Sequence, residues 1–140
     1  MYYLKTQASF DSAHFLAGHG GKCANIHGHR WTVEVKTYGD ELQKFGEKRG
    51  MVLDFADFKK MVRDLAGDYD HAFIYEADSL KKTTVDALND EGFRLIELPF
   101  RPTAENFAKH FYDLLSQMGL RICSVTVYET PDNCAVYEVE

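Results

Sequence analysis

Phe10-Asp11-Ser12-Ala13-His14 and Cys23-Ala24-Asn25-Ile26-His27-Gly28-His29-Arg30-Trp31 decide how this 140-residue chain folds. Apolar and polar residues alternate through 2–14 and again through 29–39, which predicts two long strands with one buried face each. A glycine-rich loop joins the two segments, so we expect an antiparallel pair. The alternation assigns these side chains to the buried face: Leu4, Thr6, Ala8, Phe10, Ser12 and His14 on the first strand, and His27, His29, Trp31, Val33 and Val35 on the second.

Three of these inward-facing residues are histidines, His14, His27 and His29. A half-buried strand face excludes imidazoles unless their nitrogens are satisfied, and one metal ion would satisfy all three. Three histidines with an open fourth position are typical of catalytic zinc, whereas structural zinc is usually closed by four protein ligands. The alternative is three core histidines, each with its own hydrogen bonds.

Cys23 lies in the glycine-rich loop four residues before His27, where a thiol can be exposed. A nearby cation favours the thiolate, so Cys23 is a candidate nucleophile or base beside the metal. Cys123 and Cys134 fall in apolar segments, and we expect both to be small core residues. Three cysteines in this pattern do not indicate a disulfide framework.

Two carboxylates and one Asp-His pair are further candidates. Glu129 shares the apolar face of a predicted strand, which is costly unless it is paired, although a strand end can also be exposed. Glu105 lies in the first turn of a helix capped by Thr103, where the helix dipole alone explains a carboxylate. Asp70 could orient the imidazole of His71. Adjacent residues do not readily bond side chain to side chain, however, and Asp-His is a common loop sequence.

The remaining pattern predicts helices and short strands within one domain, 1–140. The expected fold class is α+β, with an antiparallel four-stranded sheet and helices on one face. The predicted elements are a helix from the Asp54 cap to Ala66, a weaker helix over 79–89, a short strand over 93–98, a helix from the Thr103 cap to Gly119, and a hairpin of 123–130 and 134–139.

Composition excludes several classes of function. The net charge is −6 with acids and bases interspersed, which argues against a nucleic-acid surface. The sequence has no run of about 18 apolar residues, so no membrane span is predicted. The first residues lack the basic start and apolar stretch of a signal peptide, so a cytoplasmic protein is expected. An anionic small-molecule substrate remains compatible with this charge.

Together these residues resemble the pterin synthase family of the tunnelling fold. The resemblance spans nearly the whole chain and rests on six ordered motifs: Phe10-Asp11-Ser12-Ala13-His14, Cys23 with His27-Gly28-His29, Val52-Leu53-Asp54-Phe55, Asp70-His71, Pro102-Thr103-Ala104-Glu105-Asn106 and Val127-Tyr128-Glu129-Thr130. The resemblance implies an enzyme with a Zn²⁺ site formed by the three histidines. It also implies a trimer whose sheets close into a β-barrel, often stacked as a hexamer.

The resemblance assigns a role to each remaining candidate. Cys23 would accept a proton, and His71 with Asp70 would form the relay that returns one, with Glu129 completing the charge network. Glu105, after Thr103, would hold the guanidine-like edge of the pterin in a pocket shared between subunits. Lys22 and Arg30 are the only basic residues that we suggest for the triphosphate, and no motif supports either.

The three-residue gap between Cys23 and His27 indicates one branch of this family. That branch converts 7,8-dihydroneopterin triphosphate to 6-carboxytetrahydropterin, acetaldehyde and triphosphate for queuosine, a 7-deazapurine. The alternatives are the 6-pyruvoyl branch of biopterin synthesis, a zinc- and pterin-binding module without catalysis, and a generic zinc hydrolase in which Cys23 would be dispensable.

Overall fold

Two long antiparallel strands form the centre of the fold, as the alternation predicts. The computed structural model describes all residues from 1 to 140. Strand β1 covers Tyr2–His14 and strand β2 covers His27–Gly39. Their register places Phe10 opposite Trp31 and His14 opposite His27. The same register therefore aligns the buried face of one strand with that of the other.

Four further strands and three helices complete the fold. They are α1 (Phe55–Gly67), β3 (Ala72–Glu76), α2 (Lys82–Asp90), β4 (Leu95–Leu98), α3 (Ala104–Gln117), β5 (Ile122–Thr130) and β6 (Asn133–Glu138). The six strands form one sheet in the order β4-β3-β1-β2-β5-β6. The α+β class is confirmed, and the central pairs are antiparallel, but β3 runs parallel to both β1 and β4.

The expected four-stranded antiparallel sheet is therefore wrong in strand number and in the direction of one edge. The missed strand is β3, whose sequence Ala72-Phe73-Ile74-Tyr75-Glu76 has no polar alternation. Ala72, Ile74 and Tyr75 are all buried, so neither face of β3 is fully solvated. A short apolar run of this kind cannot be assigned from periodicity alone.

Helices α1 and α3 cover one face of the sheet, as expected. Asp54 caps α1 by accepting a hydrogen bond from the Ala56 amide at 2.7 Å, and Thr103 caps α3 in the same way. The apolar stripes of both helices join the inward faces of β1, β2 and β5 in one core. Helix α2 buries no residue. None of the helices combines the length and the apolar character needed to cross a membrane.

The two cysteines that were expected in the core lie elsewhere. The register between β2 and β5 passes from the Lys36–Ser124 pair to the Thr37–Ile122 pair, so Cys123 is the extra residue of a bulge. Ile122 takes the buried position, and Cys123 is only half-buried. Cys134 is exposed on β6, which is an edge strand. All three cysteines are free thiols.

Candidate active site

The three histidines predicted to face inward meet where β1 ends and β2 begins. One ring nitrogen from each of His14, His27 and His29 lies within 4.8 Å of the others. The Nε2 atoms of His14 and His27 are 3.1 Å apart. His14 is buried, whereas His27 and His29 are partly exposed. The cluster is therefore open on one side and closed by the core on the other.

Backbone carbonyls fix the tautomers of two of these rings. His14 donates from Nδ1 to the carbonyl of Pro102 at 2.8 Å, and His27 donates from Nδ1 to the carbonyl of Asn25 at 2.6 Å. A carbonyl oxygen can only accept, so both Nδ1 atoms carry the proton, and both neutral rings present an Nε2 lone pair. The two lone pairs face each other at 3.1 Å, an arrangement that a shared cation would stabilise.

The third ring leaves a buried nitrogen without a partner. His29 Nε2 makes no hydrogen bond, although it lies 3.3 Å from Glu129 Oε1. That separation is within ion-pair range, but the angles do not form a hydrogen bond. A buried unsatisfied nitrogen costs about 1–3 kcal/mol. The orphaned nitrogen and the facing lone pairs both fit a bound metal ion, and an all-imidazole set suits zinc among several transition metals.

Burial keeps these imidazoles in the neutral form that a metal requires. The pKa of His14 is lowered to about 4, mainly by burial. The bond to Pro102 opposes this shift, and the neighbouring His27 and His29 contribute to it. Burial also lowers the pKa of His29, although Glu129 opposes that shift. Near neutral pH both rings are uncharged, so a metal does not have to displace a proton from them.

Cys23 lies in a short 3-10 turn, Lys22–Ala24, in the loop between β1 and β2. It is half-buried, and its carbonyl accepts a hydrogen bond from the Leu16 amide at 2.8 Å. The guanidinium of Arg101 holds the same loop by donating to the carbonyl of Ala17 at 2.7 Å. The thiol is not a member of the histidine cluster. Cys23 is therefore not one of the candidate metal ligands.

Asp70 and His71 do bond side chain to side chain, contrary to the expectation for adjacent residues. Nδ1 of His71 lies 2.8 Å from Oδ2 of Asp70. His71 has a left-handed backbone with φ of 52° at this bond. The second carboxylate oxygen, Oδ1, accepts from the Asp11 amide at 2.8 Å. The Asp11 amide, followed by His71, lowers the pKa of Asp70.

An open cavity of about 790 Å³ connects the Asp70–His71 pair to the histidine cluster, because both His71 and His29 line it. Much of its wall is apolar, with Ile26, Phe73 and Phe93 among the lining residues. A cavity of several hundred Å³ with apolar walls and a few polar groups is typical of a small-molecule site.

Thr103 and Glu105 lie at the start of α3. Thr103 accepts a hydrogen bond from the Asn106 amide at 3.2 Å, and Glu105 is exposed and has no ion-pair partner. Pro102, directly before this cap, is the residue whose carbonyl holds His14. The beginning of α3 is therefore tied to the histidine cluster, and the Glu105 carboxylate is free to meet a ligand.

Of the two basic residues suggested for the triphosphate, Arg30 is already paired. Its guanidinium donates to both carboxylate oxygens of Asp11 at 3.0 Å. This pair raises the pKa of Arg30 and lowers that of Asp11. Lys22 is exposed and makes no side-chain hydrogen bond. To bind the triphosphate, Arg30 would therefore have to leave the carboxylate of Asp11.

The sheet order and the covering helices define an α+β fold that other proteins share. Two solved structures share this fold. An uncharacterized protein from Wolinella succinogenes has a TM-score of 0.81 at 23% identity, over 99% of this chain and 98% of that one. The 6-pyruvoyl tetrahydropterin synthase of Caenorhabditis elegans has a TM-score of 0.67 at 24% identity, over 99% and 96%.

Sequence comparison shows the family. The family model described as 6-pyruvoyl tetrahydropterin synthase matches residues 3–140. A 6-carboxy-5,6,7,8-tetrahydropterin synthase from Haemophilus influenzae is 40% identical over 99% of both chains. An enzyme of the same name from Rickettsia felis is 32% identical over 91% of this chain and 92% of its own. The chain belongs to the 6-pyruvoyl tetrahydropterin synthase family, and the expected resemblance is confirmed.

Proposed function

We propose that this protein is a zinc-dependent 6-carboxy-5,6,7,8-tetrahydropterin synthase, a lyase of queuosine synthesis. Its substrate is 7,8-dihydroneopterin triphosphate, and its products are 6-carboxytetrahydropterin, acetaldehyde and triphosphate. The observation that carries this proposal is the full-length similarity, at 40% identity, to a relative of that name. The histidine cluster, the relay pair and the cavity between them support it.

The zinc site consists of His14, His27 and His29 in this proposal. The support is the pair of facing Nε2 lone pairs and the unpartnered nitrogen of His29. Bound there, zinc would polarise the oxygens of the substrate side chain and acidify the attached hydroxyl and C–H groups. Glu129, which lies 3.3 Å from His29, balances the charge of the site.

Proton movement is assigned to the chain's own side chains. The Sγ of Cys23, as thiolate, removes a proton from a substrate carbon. His71 returns a proton from Nε2, because Asp70 holds its Nδ1 at 2.8 Å and fixes the orientation of the ring. His71 is 80% exposed, so its ring can reach a substrate in the cavity. Loss of triphosphate and internal hydrogen shifts need no redox cofactor. Carbon–carbon cleavage then consumes one water molecule, whose oxygen completes the new carboxylate, and releases acetaldehyde.

Product analysis is the first test. Purified zinc-loaded protein is incubated with 7,8-dihydroneopterin triphosphate, and the products are identified by mass spectrometry. We expect 6-carboxytetrahydropterin together with acetaldehyde. A 6-pyruvoyl product without acetaldehyde would move the chain to the biopterin branch, in line with the name of the C. elegans structure. Binding without turnover would leave a zinc- and pterin-binding module.

The working form in this proposal is a homo-oligomer, a trimer-based hexamer whose sheets form a β-barrel. The support is the sheet itself, because β4 and β6 are both edge strands with unpaired backbone groups. Val136 on β6 is 59% exposed. Edge strands of this kind are suited to pairing with a second chain.

Glu105 tests both the pterin contact and the shared pocket. A carboxylate facing a cyclic guanidine makes a bidentate, charge-assisted contact, so Glu105→Gln is expected to raise the pterin Kd by about tenfold or more. Calorimetric titration with a pterin measures this, and native mass spectrometry checks that the variant assembles as the parent does. A change in stability alone would favour the helix-dipole explanation. A monomeric parent with full activity would contradict the shared pocket.

A further inference from the structure

Arg94, directly before β4, holds the segment that ends α1 and carries His71. Nη1 donates to the carbonyl of Asp70 at 2.5 Å and to that of Gly67 at 3.4 Å, and Nη2 donates to the carbonyl of Asp68. The backbone of Arg94 is fixed as well, because its carbonyl accepts from the Phe73 amide at 3.0 Å. The Arg94 side chain thus donates hydrogen bonds to three carbonyls that lie within four residues of His71.

The C-terminus of α1 lacks a positive charge of its own, which Arg94 supplies. The last turn of α1 contains no basic residue, although the carbonyls at a helix C-terminus carry partial negative charge. Its C-cap, Asp68, keeps a right-handed backbone with φ of −65° instead of the left-handed turn that usually satisfies these carbonyls. Arg94 makes no ion pair with a carboxylate. Its charge is therefore directed at the end of α1 from a different part of the chain.

The other side of the same turn is held by β1. The His71 amide donates to the Asp11 carbonyl at 2.7 Å, and the Asp11 amide donates to Oδ1 of Asp70 at 2.8 Å. The Ser12 hydroxyl donates to the carbonyl of Tyr69. A non-glycine residue in the left-handed region persists only when its surroundings hold it there, at a cost of about 1–3 kcal/mol. His71 is thus held from β1 on one side and from Arg94 on the other.

We propose that Arg94 is a positioning residue: it keeps the 67–71 segment in the one conformation in which the His71 ring bonds Asp70 and points into the cavity. Arg94 and His71 line that same cavity, so the guanidinium acts at its wall without touching the relay side chains. The inference deepens the proposed function and rests on the role given there to His71. A change at Arg94 is expected to alter the turnover step more than substrate affinity.

The test compares Arg94→Gln and Arg94→Lys with a control that weakens α1 elsewhere. Val62→Ala is that control, because Val62 is fully buried in the core and lies within α1, outside the 67–71 segment that Arg94 contacts. We expect Arg94→Gln to lower kcat by at least about tenfold, with KM within about twofold of the parent. Arg94→Lys keeps the charge but not the planar guanidinium, so its kcat should lie between that of the parent and that of Arg94→Gln. Val62→Ala should lower Tm and leave kcat within about twofold.

A second readout follows the geometry without turnover. In the parent protein, NMR of the imidazole nitrogens should show a protected Nδ1–H on His71, and this protection should be lost in Arg94→Gln but kept in Val62→Ala. Protection that survives in Arg94→Gln, or a kcat loss no larger than that of Val62→Ala, would overturn the role of Arg94.

His71→Ala, measured in parallel, separates this inference from the proposed function. A full loss of turnover in His71→Ala together with a normal kcat in Arg94→Gln overturns the inference about Arg94 alone. Normal turnover in His71→Ala overturns both the relay and the positioning role. The absence of product from the parent protein removes the proposed function, whereas the NMR comparison still decides whether Arg94 fixes the His71 ring.

Discussion

Replacement of His27 by alanine is expected to abolish stoichiometric zinc binding. His27 supplies one of three clustered nitrogens, and its Nε2 faces that of His14 at 3.1 Å. Mutation of residues that only orient a ligand typically costs 10–100-fold in metal affinity, so the loss of a ligand itself should exceed about 100-fold. Metal analysis by plasma mass spectrometry, after purification in equimolar zinc, measures the ratio of metal to protein directly.

The matched control for this experiment is His19→Ala. His19 is exposed in the loop after β1, where its Nδ1 accepts a hydrogen bond from the Gly21 amide, and it is not part of the cluster. This variant should keep one zinc per chain. An unchanged zinc ratio in His27→Ala would eliminate the three-histidine site and leave three core histidines with separate hydrogen bonds.

Cys23→Ala is expected to keep zinc and pterin binding but to lower kcat by at least about a hundredfold. That is the usual scale for the loss of a general acid or base. Metal binding should survive because the thiol lies outside the histidine cluster. The fold should also survive, because the bond that holds this loop uses the backbone carbonyl of Cys23 and not its side chain. Steady-state kinetics with metal analysis of the same preparation checks both parts.

Cys134→Ala is the corresponding control, since this thiol is exposed on an edge strand. It should retain the parent kcat. Full activity in Cys23→Ala would remove the thiolate from the mechanism and would favour a zinc hydrolase that uses metal-bound hydroxide.

The central strands and the histidine cluster could be predicted because both follow from the alternation of apolar and polar residues along a strand. Once β1 and β2 pair antiparallel, alternation alone directs His14, His27 and His29 to the same face. Helices α1 and α3 were predictable for a similar reason, since in each an apolar stripe at helical spacing follows a capping residue, Asp54 or Thr103. Local patterns of this kind need no knowledge of the rest of the chain.

The features that could not be predicted depend on backbone conformation or on distant contacts. The bond between Asp70 and His71 is found together with a positive φ at His71, for which the residue type gives only a weak signal. The carbonyls of Asn25 and Pro102 orient two histidines, but every residue has a carbonyl, so no side-chain pattern marks them. The displacement of Cys123 depends on a bulge that becomes visible only in the pairing of β5 with β2.

The only tryptophan of the chain, Trp31, makes the histidine cluster visible in ordinary fluorescence. Its ring is fully buried and lies edge-on to His14 at 5.0 Å and to His29 at 5.6 Å between centroids. Its indole N–H has no hydrogen-bond partner, and the two imidazoles are its neighbours at the cluster. The tryptophan emission of the protein therefore comes from one residue beside the candidate metal site. Binding of a metal ion to the three histidines is therefore expected to change the fluorescence of Trp31, which can be recorded in real time without a label.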